Sequence, residues 1–297
     1  MSASPALRSE FVQANGIRLH TMQAGEGPLI LFLHGFPQFW YAWRHQLAEF
    51  ARDHLAVAPD LRGYNLSDKP DGVDAYKARH IVADVRDLAR QLNGGKPFTL
   101  VAHDWGGAVA WNLASAAPEL VSRLVILNSP HPYAFWRELV HSPAQQKASA
   151  YMLKLRSPQA EARLSENGYA RLWKFAFGET APAFTDADRA AYLQAWAQPG
   201  ALTGSLNWYR ASPLVPPTAD DPGATRLILD PKDFMVRVPT LVIHGERDIA
   251  LLTGLLDGLE HCVPALEIER IPEASHWVME EQPARVNQRI RAFLAPL

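Results

Sequence analysis

The sequence predicts an α/β fold, a mostly parallel twisted sheet flanked by helices, with a helical cap inserted after the sixth strand. Three observations carry this. Short apolar runs rich in β-branched residues recur along the chain, stretches with helical spacing separate them, and the alternation stops after Leu127 and resumes only near Pro239. Uninterrupted apolar runs suit strands buried on both faces of a parallel sheet, because strands with one wet face alternate instead.

Taken in order, Phe11–Gln23 carries Asn15-Gly16, the turn pair of a two-residue hairpin, and reads as two antiparallel strands. Leu29–Leu33, Leu55–Ala58, Phe98–Ala102 and Leu124–Leu127 read as buried strands. Ile81–Leu92 puts Ile81, Val85, Leu88 and Leu92 on one helical face, and Val109–Ala117 is a second helix closed by Pro118. The segment from Pro132 to Pro213 holds Trp136, Trp173, Trp196 and Trp208 among Ala, Leu and Arg, with almost no β-branched run. It reads as helical. Pro213, Pro216, Pro217 and Pro222 make the return, Leu214–Val238, an extended loop. Leu241–Ile243 and Leu266–Ile271 resume the strands, and Pro283–Leu294 is a terminal amphipathic helix. Residues 1–131 and 214–297 are thus expected to form a core domain and 132–213 a helical cap.

The 297 residues are about twice the usual domain length, enough for one large domain with an insertion. With 48% hydrophobic and 20% charged residues, disorder is excluded as the main state. The balance of 29 basic against 31 acidic residues gives a net charge of −2, no footprint for nucleic acid or an anionic membrane. Cys262 is the single cysteine, so no internal disulfide forms. Met1–Phe11 lacks the apolar stretch of a signal peptide, and no apolar run reaches the roughly 18 residues of a membrane span. The expectation is a cytoplasmic protein of unknown oligomeric state.

Chemistry concentrates where the strand Phe98–Ala102 meets the next helix, at Ala102-His103-Asp104-Trp105-Gly106. Small residue, x, nucleophile, x, glycine is the layout of a nucleophile elbow, whose tight turn lifts the central side chain clear of the sheet. Asp104 stands where serine is usual; its plain alternative role is a helix N-cap. Two further residues favour the elbow. Asp248 follows the strand Leu241–Ile243, and His276 follows Leu266–Ile271. The order nucleophile, acid, histidine is the chain order of an α/β-hydrolase triad. His34-Gly35-Phe36-Pro37 follows the strand Leu29–Leu33, where a second oxyanion donor arises, so the backbone N–H groups of Phe36 and Trp105 are expected to converge on one oxygen.

An aspartate nucleophile changes the reaction. A carboxylate is ionised at neutral pH and needs no base. It attacks an sp³ carbon by displacement and leaves an alkyl ester on the enzyme. His276, oriented by Asp248, would activate water against that ester, and the oxyanion hole would serve this second step. Suitable leaving groups are a halide or the oxygen of a strained epoxide.

At this point the chain resembles the soluble epoxide hydrolases of the α/β-hydrolase fold, over nearly its whole length: HGFPQFWYAWRHQL at His34–Leu47, DLRGYNLSDKP at Asp60–Pro70, HDWGGAVAW at His103–Trp111, the cap, and the final strand–histidine segment. The resemblance implies two ring-opening tyrosines, Tyr209 in Ser205-Leu-Asn-Trp-Tyr-Arg210 and Tyr151 in Ala150-Tyr-Met-Leu. It implies a small apolar epoxide and water as reactants, and no cofactor. Haloalkane dehalogenases share HDWGG and are the alternative reading, as are haloacid enzymes that act on fluoroacetate, although Trp105 and Ala108 stand where the latter carry arginines. A non-catalytic binding protein of the same fold is the reading from another class. Phe36, Trp105, Phe39, Trp40 and Trp136 are expected to line the pocket. Tyr169 and Tyr192 are read as packed aromatics with hydroxyls reaching water, His103 as turned from the pocket, and Asp60 and Arg62 as loop tethers. The histidines show no metal-ligand spacing and no nucleotide-binding glycine motif occurs.

Overall fold

The chain is described by a computed structural model covering residues 6–178 and 184–295. Residues 1–5, 296 and 297 of the expected core, and 179–183 of the expected cap, lie outside the described residues. Asn15 and Gly16, with φ of 49° and 78°, join strand β1 (Arg8–Ala14) to β2 (Ile17–Ala24), the left-handed pair that a tight hairpin demands. Six strands follow: β3 (Leu29–Leu33), β4 (Leu55–Pro59), β5 (Phe98–His103), β6 (Val121–Leu127), β7 (Thr240–Gly245) and β8 (Leu266–Ile271). They form one sheet in the order β1-β2-β4-β3-β5-β6-β7-β8, antiparallel at β1–β2 and β2–β4 and parallel elsewhere.

The helices are α1 (Arg44–Phe50), α2 (Ala78–Asn93), α3 (Asp104–Ala116), α4 (Pro132–His141), α5 (Pro143–Ala148), α6 (Tyr151–Arg156), α7 (Ala160–Phe177), α8 (Asp186–Trp196), α9 (Ala201–Ala211), α10 (Val278–Glu281) and α11 (Pro283–Leu294). Every residue of β3 is buried, and successive ones feed opposite cores. Leu31 and Leu33 pack with Ile81, Val85 and Leu88 of α2, while Ile30 and Phe32 pack with Leu47 and Phe50 of α1 and Ile290 of α11. That two-sided burial is why the strand sequences are continuously apolar.

Helices α4 to α9 all follow β6 and precede β7, and no strand lies between them among the described residues. α7 is broken at Glu166–Tyr169, where Asn167, Gly168 and Tyr169 take positive φ. The proline-rich return holds only short 3₁₀ turns at Gly223–Arg226 and Pro231–Phe234. Among the helices of the core, α1, α3 and α10 differ from expectation. α1 and α10 are too short for their periodicity to stand out, and α3 starts five residues earlier than Val109, at Asp104, because two glycines mask its first turn. Among the described residues, no helix is long and apolar enough to cross a membrane.

Candidate active site

β5 ends and α3 begins without a connecting loop, so Asp104 itself makes the turn, with a φ of 49° that strains a residue other than glycine. Close approach of backbone permits it. A Cβ on Gly106 would stand 2.4 Å from the Leu33 carbonyl oxygen, and one on Gly35 would stand 2.1 Å from Asp104 Oδ1. The Phe36 N–H donates to Oδ1 at 2.7 Å, the Trp105 N–H donates to the same carboxylate, and the Ser129 hydroxyl grips the Asp104 carbonyl oxygen at 2.6 Å. Burial pushes the carboxyl above its usual range, opposed by His276 and the two N–H donors.

Asp248 follows β7 with its side chain fully buried. His276 Nδ1 donates to its Oδ2 at 2.7 Å and Asn128 Nδ2 to the same oxygen at 2.8 Å. The N–H groups of Ala250 and Leu251 donate to Oδ1 at 2.8 and 2.9 Å. Burial alone would raise this carboxyl, but His276 and the donors outweigh it and hold it at about 2. His276 presents Nε2 to Asp104 Oδ2 at 3.7 Å. Burial lowers the His276 pKa, yet Asp248 and then Asp104 outweigh burial and the net direction is upward. Beneath it, His103 Nε2 donates to the His276 carbonyl oxygen at 2.8 Å. Burial drives the His103 ring well down, which keeps it neutral and in a supporting position outside the cavity.

Two phenols stand over the carboxylate. Tyr209, on α9, meets Trp105 edge-on at 5.0 Å and Phe36 at 5.2 Å. Tyr151, the first residue of α6, has its ring 6.2 Å from that of Tyr209. Burial and the nearby Asp104 charge push both phenols up, so both remain protonated donors at neutral pH.

Above Asp104 lies a cavity of about 350 Å³, walled by Trp105, Tyr151 and Tyr209 together with Phe135, Trp208 and Leu214. Of the expected pocket residues only Trp105 is in the wall. Phe36 supplies an N–H and a ring packed on Tyr209. Phe39 and Trp40 are elsewhere, because the chain turns at Trp40–Trp43; Phe39 stacks on Tyr41 at 5.7 Å and meets Tyr192 of α8 at 5.3 Å, and Trp40 meets Phe39 and Tyr41 edge-on at 5.9 and 5.4 Å. Trp136 faces away, its Nε1 donating to the carbonyl oxygens of Ala224 and Leu227 at 3.2 and 3.1 Å, and its neighbour Phe135 faces the cavity in its place. One residue along a helix is a rotation of about 100°.

Asp60 and Arg62 act as tethers. Asp60 accepts from His20, Asn65 and the Trp40 N–H at 2.7, 2.8 and 3.1 Å, and Arg62 forks onto Asp84 with two bonds of 2.6 Å. Tyr169 packs on Trp196 at 6.1 Å. The Tyr192 hydroxyl does not reach water. It accepts from Gln38 Nε2 at 3.0 Å and donates to Glu280 at 3.1 Å, fully buried. Sequence reasoning missed Asn128 and Ser129. Their signal was a polar pair at the carboxyl end of a buried strand. Among the described residues, no three His, Cys, Asp or Glu side chains gather as a metal cage.

A sheet of this topology, carrying a residue on a strained strand-to-helix turn opposite an acid–histidine pair, is that of an α/β-hydrolase. Residues 28–283 match the model of the alpha/beta hydrolase fold, and the chain belongs to that family. It is 40% identical to the AB hydrolase superfamily protein YfhM of Bacillus subtilis, covering 97% of this chain and 98% of that one. It is 36% identical to epoxide hydrolase 4 of Mus musculus, covering 95% of this chain and 78% of that one. The structure of an epoxide hydrolase of Bacillus megaterium in complex with an inhibitor aligns with a TM-score of 0.89 at 36% identity, over 96% of this chain and 99% of that one. A variant of the Bacillus megaterium enzyme, holding its naphthyloxy-propanediol product, aligns at 0.86 with 34% identity over the same shares.

Proposed function

We propose that the protein hydrolyses an epoxide to a vicinal diol through an alkyl ester on Asp104. The observation that carries the reading is an aspartate carboxylate that shares an apolar cavity with two phenols, Tyr209 buried and Tyr151 half-buried. Asp104 Oδ2, with Oδ1 tied to the Phe36 N–H, attacks a ring carbon and breaks its bond to the epoxide oxygen. The departing oxygen takes a proton from Tyr209 or Tyr151. His276, oriented by Asp248, then removes a proton from water as the water adds to the Asp104 carbonyl carbon. Phe36 and Trp105 N–H groups stabilise the oxyanion on Oδ1. Collapse breaks the bond to the alkyl oxygen, which takes the proton of the newly added hydroxyl, so the diol leaves and the carboxylate returns; the His276 proton restores the tyrosine.

The relatives named epoxide hydrolase support this reading, and so does the diol held by a solved neighbour. The apolar walls favour a neutral substrate with an aryl or alkyl arm. Helices α4 to α9, which carry both phenols, serve in this reading as a cap closing the site. The test is product analysis with styrene oxide, with 1-chlorobutane and fluoroacetate as controls. Diol from the epoxide without halide from the controls supports the proposal; halide release without diol overturns it.

A further inference from the structure

We infer that Tyr192 is a positioning residue, coupling α8 of the helical insertion both to the loop that carries the Phe36 N–H and to the segment that carries His276. The inference rests on the epoxide-hydrolysis reading, because it acts through the oxyanion donor that reading uses.

The Tyr192 hydroxyl sits where three parts of the molecule meet. Gln38, two residues beyond Phe36, donates its Nε2 to this oxygen at 3.0 Å, and its backbone N–H closes the loop onto the Gly35 carbonyl at 2.9 Å. Glu280, four residues beyond His276, accepts from the same hydroxyl at 3.1 Å. Trp196, one turn along α8, donates its indole N–H to the Pro37 carbonyl at 2.6 Å. Two residues of one helix therefore hold the residues flanking Phe36 on its C-terminal side. Neither touches the cavity.

The node is costly to disturb because it is dry and short of positive charge. Gln38, Tyr192 and Glu280 are all buried. One guanidinium, Arg44, lies between two carboxylates, 2.6 Å from Glu280 and 3.2 Å from Asp188. Asp188 also accepts from the Tyr41 hydroxyl at 2.9 Å. Burial pushes the Glu280 carboxyl up to about 7, and Arg44 and the Tyr192 hydroxyl are the donors that oppose it. Removing the phenol oxygen leaves Gln38 Nε2 only its longer bond to Glu280 Oε1, 3.4 Å, while its Oε1 has no partner among the described residues, and a buried amide so poorly paired moves to improve its bonding. The loop then shifts, and the Phe36 N–H shifts with it.

The two half-reactions feel this differently. Alkylation uses Asp104 Oδ2, which the Phe36 N–H does not bind. Ester hydrolysis builds charge on Oδ1, which the Phe36 N–H must meet at the right distance. Tyr192→Phe should therefore slow hydrolysis of the alkyl-enzyme by roughly ten- to a hundredfold, as sub-ångström to ångström misplacement does, while alkylation changes little. Tyr192→Phe, Gln38→Leu and the double variant would be mixed with excess styrene oxide and quenched, and alkyl-enzyme followed by intact-protein mass spectrometry. Rates are normalised to burst amplitude, so partial misfolding does not enter, and Gln38→Leu, which keeps the phenol ring and its packing, must slow the same step. The expected result is a selective loss in hydrolysis in which the double variant is no slower than Gln38→Leu. Unchanged hydrolysis in Tyr192→Phe, equal slowing of both steps, or losses that multiply in the double variant would overturn the inference. If the wild-type protein forms no alkyl-enzyme, the functional reading fails and the inference with it.

Discussion

The Phe36 N–H holds Oδ1 of Asp104 at 2.7 Å, while Oδ2 of the same carboxylate lies 3.7 Å from His276 Nε2. The two oxygens are thus inequivalent before any substrate binds. In the proposed mechanism Oδ1, held by that hydrogen bond, becomes the ester carbonyl oxygen and Oδ2 attacks. The oxygen that attacks and the oxygen that later carries the oxyanion charge are in that mechanism different atoms, and the Phe36 N–H meets the second.

The base should be separable from the nucleophile. His276→Gln leaves Asp104 able to form the ester and removes the group that activates water. A stoichiometric adduct equal in mass to the epoxide should appear within one turnover, followed by at least about a hundredfold slower release. Steady-state diol formation near the wild-type rate would rule out His276 as the base.

The phenols should matter to ring opening and little to ester hydrolysis. Deleting one donor to a developing alkoxide costs roughly 10²–10³-fold, so Tyr209→Phe and Tyr151→Phe should each slow alkylation by about that factor and the double variant by more. Pre-steady-state alkylation with styrene oxide reads this directly. A double variant that alkylates at the wild-type rate would remove both tyrosines from the mechanism.

The sign of the pH dependence follows from who faces His276. Its pKa is raised because Asp248 and Asp104 outweigh burial, and a base with a raised pKa loses activity sooner as pH falls. Alkylation neutralises Asp104 and removes one of those two charges. The acid limb of ester hydrolysis should therefore lie at lower pH than the His276 titration in resting enzyme. Asp104→Asn should show the same downward movement by ¹⁵N NMR, and an equal or higher His276 pKa in that variant would contradict the account.

The loop Asp60–Pro70 should be a stability element. Arg62 and Asp84 are buried and paired, and the Arg62 carbonyl oxygen accepts from the Trp208 indole at 2.9 Å, which hooks α9 to the loop. Arg62→Ala strands a buried carboxylate, at a cost of about 3–5 kcal/mol. Adding Asp84→Ala should recover part of that loss in a denaturant titration; simple addition of the two losses would mean the pair is not coupled.

The sheet was legible in the sequence because burial on both faces writes inner strands as uninterrupted apolar runs, and Leu29–Leu33 is found with the same bounds; Leu266–Ile271, also found with the same bounds, is an edge strand in which apolar and charged residues are interspersed. The residues brought together at the site were legible for a related reason. A strained turn restricts its neighbours to glycine and small residues, so Asp104 announces itself through Gly106 as much as through its own identity. What stayed hidden depends on rotation and on distant partners. Trp136 and Phe135 are adjacent aromatics on one helix, and only the direction of α4 decides which faces the cavity. Tyr192 is one tyrosine among several until Gln38 and Glu280, far apart in sequence, close on its hydroxyl.

The central claim is that carbon is attacked by Asp104 and not by water. It is tested most directly by a single turnover of epoxide with excess enzyme in H₂¹⁸O, with the diol and the Asp104 peptide then analysed by mass spectrometry. The account predicts an unlabelled diol, its new oxygen coming from Asp104 Oδ2, and one ¹⁸O in the Asp104 carboxylate. Label in the first-turnover diol with none in Asp104 would contradict it.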